Sequence, residues 1–257
     1  MSQYQLFKDL HYQNTPLLLG NAWNVSSARI LQDNGITAIG TSSSAIADTL
    51  GYDDGEQIPF SELFFVIERI ARHTKVPLSA DIERGYSDDP AVVVQHIEQL
   101  HDIGIVGINL EDSVMAESRV LVPVTEFSRK LEFIRNELSR KNIPLFINAR
   151  IDTFLLDVPN RLDETFARIK AFEAAGADSI FVPFIRELSD ISQVTAATAL
   201  PVNVLSMPEL PSFAALSEAG VKRVSMGGSV YRSVNDHLKK VVNNIEVSGS
   251  FASVFPA

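Results

Sequence analysis

Short apolar segments alternate with longer helical patterns along the chain. Each segment is hydrophobic at consecutive positions, as expected for a parallel strand that is buried on both faces. The stretches between them repeat hydrophobic residues at the spacing of an amphipathic helix, and several end at a glycine, a typical helix stop. The segments cover residues 17–23, 38–43, 77–83, 107–112, 144–152, 179–184, 201–205 and 223–228.

Eight strands that alternate with helices favour a closed barrel over an open doubly wound sheet. An open sheet would usually carry a glycine-rich turn after its first strand, whereas residues 21–27 have the sequence NAWNVSS. The length of 257 residues suits one barrel. We therefore predict an α/β protein that forms a single (β/α)₈ TIM barrel over residues 1–257, with residues 230–257 as a C-terminal helical extension.

The charge balance narrows the set of partners. The chain has 22 Lys and Arg against 32 Asp and Glu, a formal net charge of -10. Nucleic acid is not expected as a partner, because neutralising phosphates requires a basic face, and an anionic membrane surface is disfavoured for the same reason. The sequence contains neither an apolar stretch long enough to span a bilayer nor a secretory signal pattern. We expect a cytoplasmic protein with no membrane partner.

Missing residue types exclude several chemistries. The chain has no cysteine, which rules out disulfides, thiolate metal sites and a thiol catalyst. No lysine stands at the carboxyl end of a predicted strand, which disfavours a Schiff-base aldolase. None of the five histidines stands there either, which disfavours a zinc site and a histidine base. We expect the histidines to be partly exposed helix residues.

Carboxylates do stand at the carboxyl ends of neighbouring strands, where barrel enzymes place their chemistry. Asp81 and Glu83 lie at the end of the third predicted strand, Glu111 at the end of the fourth and Asp152 at the end of the fifth. Carboxylates that lie close together repel one another unless a cation lies between them. Ligation by oxygen alone is the preference of Mg²⁺ or Mn²⁺. Each acid taken alone is more often a helix cap or a solvated loop residue, but together they favour a metal site.

Six short motifs stand at or just after the ends of predicted strands. The most specific is DIERGY at residues 81–86, which is similar to the pattern D-x-D-x-G-Y/F. The others are TSSSA at 41–45, GYDDG at 51–55, NLED at 109–112, NARID at 148–152 and VSMGG at 224–228. In this order and at these places, the set resembles the isocitrate lyase and phosphoenolpyruvate mutase superfamily.

The resemblance implies a Mg²⁺-dependent enzyme, with Mn²⁺ as the alternative ion, that acts on a small α-oxo acid. In such enzymes a bond at C3 is broken or made through an enolate, which the metal and an arginine stabilise. Carried over by position, Asp81 is the direct metal ligand, and Asp54, Glu83 and Glu111 hold metal-bound waters. The implied catalytic residues are Arg150 and Glu111. The implied substrate-binding residues are Thr41, Ser42, Ser43, Arg150 and Asn203.

The resemblance also implies a homo-oligomer, either a dimer or a tetramer, in which subunits exchange a C-terminal helix. The candidate helix covers residues 230–245. Its apolar face carries Val230, Val234, Leu238, Val241 and Ile245.

Three departures from the family pattern limit the implied activity. Glu83 stands where aspartate is usual. The gating loop at residues 113–121 is short and lacks both the catalytic cysteine of isocitrate and methylisocitrate lyases and the lysine and asparagine of the mutases. We therefore do not expect either of those two lyase activities. Pro183 and Phe184 replace a polar pair, which indicates a smaller or less polar C3 substituent.

Two functions of different classes remain. The first is a metal-dependent lyase, and decarboxylation of an oxaloacetate-like acid fits best, because this reaction needs an electron sink more than a protonating lid. The second is a catalytically weak or inactive α-oxo acid binding protein, which the missing loop acid favours. Two arginines, Arg84 and Arg119, could meet a second substrate carboxylate or pair with surface acids, and the sequence does not separate these roles.

Overall fold

Eight parallel strands close into a barrel in the computed structural model, which describes residues 1–255. The order around the barrel is β1-β10-β9-β8-β7-β4-β3-β2, and the predicted (β/α)₈ fold is confirmed. A separate antiparallel hairpin, formed by β5 and β6, follows β4. The strands are β1 (Leu17–Ala22), β2 (Ile39–Thr41), β3 (Leu78–Asp81), β4 (Gly107–Glu111), β5 (Ser113–Met115), β6 (Arg119–Leu121), β7 (Phe146–Arg150), β8 (Ser179–Val182), β9 (Val202–Leu205) and β10 (Arg223–Ser225).

Helices surround the barrel between successive strands. Three of them, α1, α3 and α8, were not predicted. In the stretch between β9 and β10, where the sequence predicts a helix, the helix begins only at Phe213, because Pro208 and Pro211 lack the amide proton and disfavour helical backbone before them. The helices are α1 (Gln3–Leu10), α2 (Val25–Asp33), α3 (Ser43–Leu50), α4 (Phe60–Ala71), α5 (Pro90–Asp102), α6 (Val124–Arg140), α7 (Arg161–Ala174), α8 (Leu188–Ala196), α9 (Phe213–Glu218) and α10 (Ser229–Ser248).

The amino-terminal end of the barrel is closed by α1. Phe7 is fully buried there, packed edge-on against Phe146 with ring centroids 5.4 Å apart. His11 stacks on Phe146 at 4.3 Å, and its Nδ1 donates to the carbonyl oxygen of Phe7 at 2.8 Å. The expectation that all the histidines are partly exposed is therefore wrong for His11, because an aromatic cluster seals this end of the barrel. The opposite end, at the carboxyl ends of the strands, is left for a site.

The C-terminal helix α10 buries none of its residues. Its apolar side chains Val234, Leu238 and Val242 are each at least half exposed. Among residues 1–255, no helix combines the length and hydropathy needed to cross a membrane.

We expect His11 to make folding stability depend on pH. Burial, with a smaller effect of the Arg223 charge, lowers the pKa of His11 to about 3. Because the unfolded histidine has a pKa of about 6.5, the unfolded chain gains a proton below that pH while the folded chain does not, so acid removes stability. From about pH 7 to about pH 5, the parent should lose about 2 kcal/mol more unfolding free energy than His11→Phe.

Urea denaturation at several pH values measures this difference. His237→Phe, on an exposed position of α10, is the matched control and should keep the pH dependence of the parent. Equal pH slopes for the parent and His11→Phe would contradict a neutral buried His11.

Candidate active site

A cavity of about 420 Å³ opens at the carboxyl ends of the barrel strands. One side is polar and includes Ser42, Ser43, Asp81, Asn109, Arg119 and Arg150. Another part of the lining is apolar and includes Leu155, Leu156, Phe181, Pro183, Phe184 and Leu205. This division suits a small ligand with a charged head and a less polar remainder.

Asp81 is the last residue of β3, and its position is set by the end of β2. The Asp81 amide donates to Thr41 Oγ1 at 2.9 Å, and Ser43 Oγ donates to Asp81 Oδ2 at 2.8 Å. The other carboxylate oxygen, Oδ1, is buried and has no hydrogen-bond partner among the described residues. A buried anionic oxygen without a partner is costly, and a cation bound at this oxygen would remove the cost.

The loop after β3 makes a tight turn that carries Glu83 inward. Glu83 and Gly85 both have positive φ, at 50° and 102°. A Cβ on Gly85 would lie 2.6 Å from Val93 Cγ1, so only glycine fits this turn. The turn also brings Tyr86 back, and its hydroxyl donates to Glu83 Oε1 at 2.9 Å.

Glu83 is buried beside other acids. Burial, together with the charges of Asp54 and Asp81, raises the pKa of Glu83 to about 8. Its Oε2 accepts from the Glu56 amide at 2.8 Å, and Glu56 Oε1 in turn accepts from the amides of the Glu83 turn. Oε2 of Glu83 therefore links the loops after β2 and β3, whereas Oε1 is held by Tyr86 of its own loop. The predicted role of Glu83 in the metal shell stays a prediction.

Arg150, at the end of β7, lies between two carboxylates. Its Nη1 is 2.7 Å from Glu111 Oε2, and its Nε is 2.6 Å from Asp152 Oδ1. Parallel pairing of β4 with β7 places Glu111 directly opposite Arg150. Burial raises the pKa of Glu111 well above its ordinary value, and the two arginines beside it oppose that effect.

A second buried ion pair holds this arrangement from behind. Asp112 Oδ1 accepts from the Asp152 amide at 2.9 Å, and Asp112 Oδ2 pairs with Arg168 Nη1 at 2.8 Å. Burial, with the charge of Asp152, raises the pKa of Asp112 to about 7. Asp112 thus orients Asp152 and Arg168.

The hairpin after β4 brings Arg119 into the same cluster. Its guanidinium forms ion pairs with Glu111 Oε1 and, at 3.1 Å, with Asp54 Oδ2. It also donates to Ser113 Oγ at 3.2 Å and lies 3.9 Å from Asp152 Oδ2. Arg119 therefore pairs with one half-exposed acid, Asp54, and with one buried acid, Glu111. The second role that the sequence left open, contact with a substrate carboxylate, stays a prediction.

The predicted substrate-binding residues lie at different depths. Ser42 and Ser43 line the cavity, and Ser42 also caps α3 by accepting from the Ala45 amide at 3.4 Å. Thr41 and Asn203 are buried and are not among the cavity-lining residues. Thr41 instead orients Asp81, and Asn203 Oδ1 accepts from Ser225 Oγ at 3.0 Å. The structure therefore brings Ser42, Ser43 and Arg150 together, with Thr41 and Asn203 beneath them.

No role was predicted for Glu56 or Tyr86, and the sequence left two roles open for Arg119. A signal for the hairpin was present, because two β-prone triplets, SVM and RVL, flank the short turn at 116–118. No comparable signal marks Glu56, whose hydrogen bonds link two loops that are far apart in the sequence.

A family model described as phosphoenolpyruvate phosphomutase matches residues 7–246. The chain belongs to this family. The predicted membership of the isocitrate lyase and phosphoenolpyruvate mutase superfamily is confirmed.

Individual relatives agree with this assignment. An uncharacterized protein of Mycobacterium tuberculosis (strain ATCC 25618 / H37Rv) is 35% identical over 225 residues, which cover 88% of this chain and 83% of that protein. Oxaloacetate decarboxylase 2 of Pseudomonas fluorescens (strain Pf0-1) is 25% identical, and the match covers 89% of this chain and 79% of that protein. A crystal structure from Burkholderia cenocepacia J2315, provisionally named a phosphonomutase, is 38% identical with a TM-score of 0.88, covering 94% of this chain and 99% of that one.

We expect Arg168→Met to be strongly destabilising. It leaves Asp112 buried without its counter-ion, and breaking a buried pair costs about 3–5 kcal/mol. Urea denaturation measures the loss of unfolding free energy. Glu164→Gln removes the partly exposed partner of the same guanidinium and should cost less than about 1 kcal/mol. Similar losses for the two variants would show that the Asp112 ion pair does not stabilise the fold in this way.

Proposed function

We propose that this protein is a divalent-metal-dependent lyase that cleaves a bond at C3 of a small α-oxo acid through an enolate, most favourably by decarboxylation of an oxaloacetate-like acid. The observation that carries the proposal is the buried, unpartnered Asp81 Oδ1 at the polar side of the cavity. It lies at the same end of the barrel as Arg150, which is the group suited to an enolate or carboxylate oxygen.

The residues at this end of the barrel fit a divalent cation. The carboxylates of Asp54, Asp81, Glu83 and Glu111 outnumber the guanidiniums beside them, and an anionic oxo acid would be repelled without further positive charge. Mg²⁺ prefers oxygen ligands, takes one or two carboxylates directly and keeps several waters. Asp81 would bind the ion directly, and Asp54, Glu83 and Glu111 would hold its waters. When bound, the ion supplies Lewis-acid stabilisation of the developing enolate.

The chain's own residues supply orientation. The Ser42 and Ser43 hydroxyls line the place where the substrate carboxylate would lie. Asp152 accepts from two nitrogens of Arg150, at 2.6 and 3.2 Å, and so fixes the plane of the guanidinium. A guanidinium that is already oriented stabilises the developing negative charge without reorganisation, which is the main source of electrostatic catalysis.

The apolar side of the cavity favours decarboxylation. A carboxylate on C3 that lies against Leu155, Phe181 and Leu205 is poorly solvated, whereas the carbon dioxide it becomes is neutral, so this wall favours the product state. Phe184 stands at the rim with a φ of 65°, a costly conformation for an aromatic residue. A bulky apolar residue there agrees with a small or weakly polar C3 substituent.

Relatives support the choice of reaction. Several similar proteins, including one of Rhodopseudomonas palustris (strain TIE-1) at 26% identity over 88% of this chain, are oxaloacetate decarboxylases. Because the chain has no cysteine, the cysteine acid of isocitrate and methylisocitrate lyases has no counterpart, and we propose that it has neither activity.

We expect Asp81→Ala to abolish both Mg²⁺ binding and turnover, because it removes the only protein oxygen proposed to bind the ion directly. Calorimetric titration with Mg²⁺ and pyruvate release from a panel of α-oxo acids measure the two effects. Arg150→Lys is the matched control: it should bind Mg²⁺ as the parent does but lose turnover, since an ammonium cannot reproduce the guanidinium fork.

Two outcomes would redirect the proposal. If Asp81→Ala binds Mg²⁺ as tightly as the parent, the assignment of the metal site fails. If the parent binds Mg²⁺ and an oxo acid yet turns over none of the panel, the alternative function, an α-oxo acid binding protein of the same fold, gains support.

We also propose that the protein is a homo-oligomer, a dimer or tetramer that packs through α10. The exposed side chains Val234, Leu238 and Val242 are the supporting observation, because contiguous exposed apolar surface favours association. Light scattering should give a multiple of the 28.3 kDa chain mass, and Leu238→Glu should lower it. A control, Lys240→Glu on the same helix, should not. A monomeric parent would contradict the proposal.

A further inference from the structure

The hairpin formed by β5 and β6 lies over the loop after α3. Its tip packs against Gly55, where an added Cβ would lie 3.1 Å from Met115 Cβ. Its base is closed by the Val122 amide, which donates to the Asp112 carbonyl oxygen at 2.9 Å, and the Asp112 amide in turn donates to the carbonyl oxygen of Arg150 at 3.2 Å. The hairpin is therefore anchored to the barrel at its base and extends from there toward the loop after α3.

The hairpin carries one arginine, and that arginine faces the cavity. Arg119 joins Asp54, on the loop after α3, to Glu111, at the end of β4. The side chain of Asp54 is about half exposed, whereas that of Glu111 is 3% exposed. The guanidinium thus bridges an outer and an inner carboxylate across the polar side of the cavity.

These are two of the carboxylates proposed to hold the waters of the metal. Arg119 occupies Glu111 Oε1 and Asp54 Oδ2, and Arg150 occupies Glu111 Oε2. A metal-bound water that donates to these carboxylates therefore competes with a guanidinium, and the two cations repel one another. Within residues 1–255, no three acidic or histidine side chains form a ready metal-binding group. The carboxylates at this end of the barrel are instead paired with arginines, and Arg119 is the arginine on the hairpin.

Arg150 is poorly placed to make way for a cation. Asp152 binds it through two nitrogens, and Asp112 and Arg168 hold Asp152 from behind. No carboxylate binds Arg119 through two nitrogens: its further contacts are one hydrogen bond to Ser113 Oγ, which itself donates to Asp152, and a long approach to Asp152. Arg119, which bridges the two proposed metal carboxylates, is thus held by single contacts to each partner.

We propose that Arg119 is a tethered competitor of the metal: it bridges Asp54 and Glu111 in the metal-free protein and leaves them, when a divalent cation enters, to bind the anionic oxo acid. The inference rests on the proposed metal-dependent function. It makes metal entry and the release of an anion-binding arginine one coupled event, so that the cation binds before the substrate. A guanidinium suits this second partner, because it pairs with a carboxylate through two parallel hydrogen bonds.

The first test is calorimetric titration of the metal-free full chain with Mg²⁺. Arg119→Ala should bind Mg²⁺ about tenfold more tightly than the parent, since no charge-assisted hydrogen bond has to be broken. Arg119→Lys keeps the charge without the fork and should fall between the two. Arg84→Ala is the matched control. Its guanidinium pairs with the exposed Asp88 at 2.9 Å, so the affinity should change less than about twofold.

The second test titrates the protein with oxalate at saturating Mg²⁺. Oxalate is the anion bound with Mg²⁺ in a crystal structure of phosphonopyruvate hydrolase. That structure shares the fold with a TM-score of 0.86 at 20% identity, and the match covers 100% of this chain and 92% of that one. Arg119→Ala should bind oxalate about tenfold more weakly, because one charge-assisted contact is lost. Competition predicts effects of opposite sign on metal and anion. A purely structural role would weaken both, and circular dichroism of the metal-free variants checks that they are folded.

Each outcome decides the inference. Mg²⁺ binding by Arg119→Ala that is equal to or weaker than that of the parent overturns it, as does unchanged oxalate binding. If neither the parent nor Arg119→Ala binds Mg²⁺, the proposed function falls together with the inference. If both bind Mg²⁺ but the parent turns over no oxo acid, only the lyase activity falls, and the two affinities still decide the role of Arg119.

Discussion

Arg150, partly buried between Glu111 and Asp152, is the charge around which the rest of the site is arranged. A guanidinium removed from water needs its counter-charges at hydrogen-bond distance, and any carboxylate left unpaired beside it would be costly. The register of β4 against β7 supplies Glu111, and the turn after β7 supplies Asp152. Asp112 and Arg168 then hold Asp152 in place from the surrounding helix layer.

The need of buried charges for hydrogen-bond partners also explains how the loops after β2 and β3 are joined. Glu83 is buried among acids, and it receives hydrogen bonds from the Tyr86 hydroxyl and the Glu56 amide in place of a positive partner. Its raised pKa is the electrostatic consequence of that setting. Asp81 lies next to it with one oxygen unpartnered, so the negative charge at this end of the barrel is only partly balanced. A cation would complete the balance.

The two sides of the cavity separate recognition from chemistry. Charged and hydroxyl groups at the ends of β2, β3, β4 and β7 suit the head of an oxo acid, and the apolar wall faces its remainder. The hairpin after β4, which is short in this chain, adds a cation and no acid within reach of the carboxylates. The sequence of this hairpin contains neither cysteine nor lysine, so Arg119 is its one basic residue.

Local sequence was sufficient for the eight barrel strands, most of the helices and the positions of Asp81, Glu111 and Arg150 at strand ends, but not for β5 and β6, which lie in the segment predicted as a loop. Hydrophobic periodicity reports burial directly, and the carboxyl ends of parallel strands must meet at one end of a closed barrel. Only the tertiary structure decided which charges pair. Arg119 and Arg168 pair with acids that lie on other elements, and Glu56 accepts from amides of the loop after β3. Only the distances and the burial in the folded structure decide which of the many polar groups meet. Thr41 and Asn203 illustrate the same limit, because the pattern placed them at strand ends, whereas side-chain packing within the barrel decided that they lie beneath the cavity.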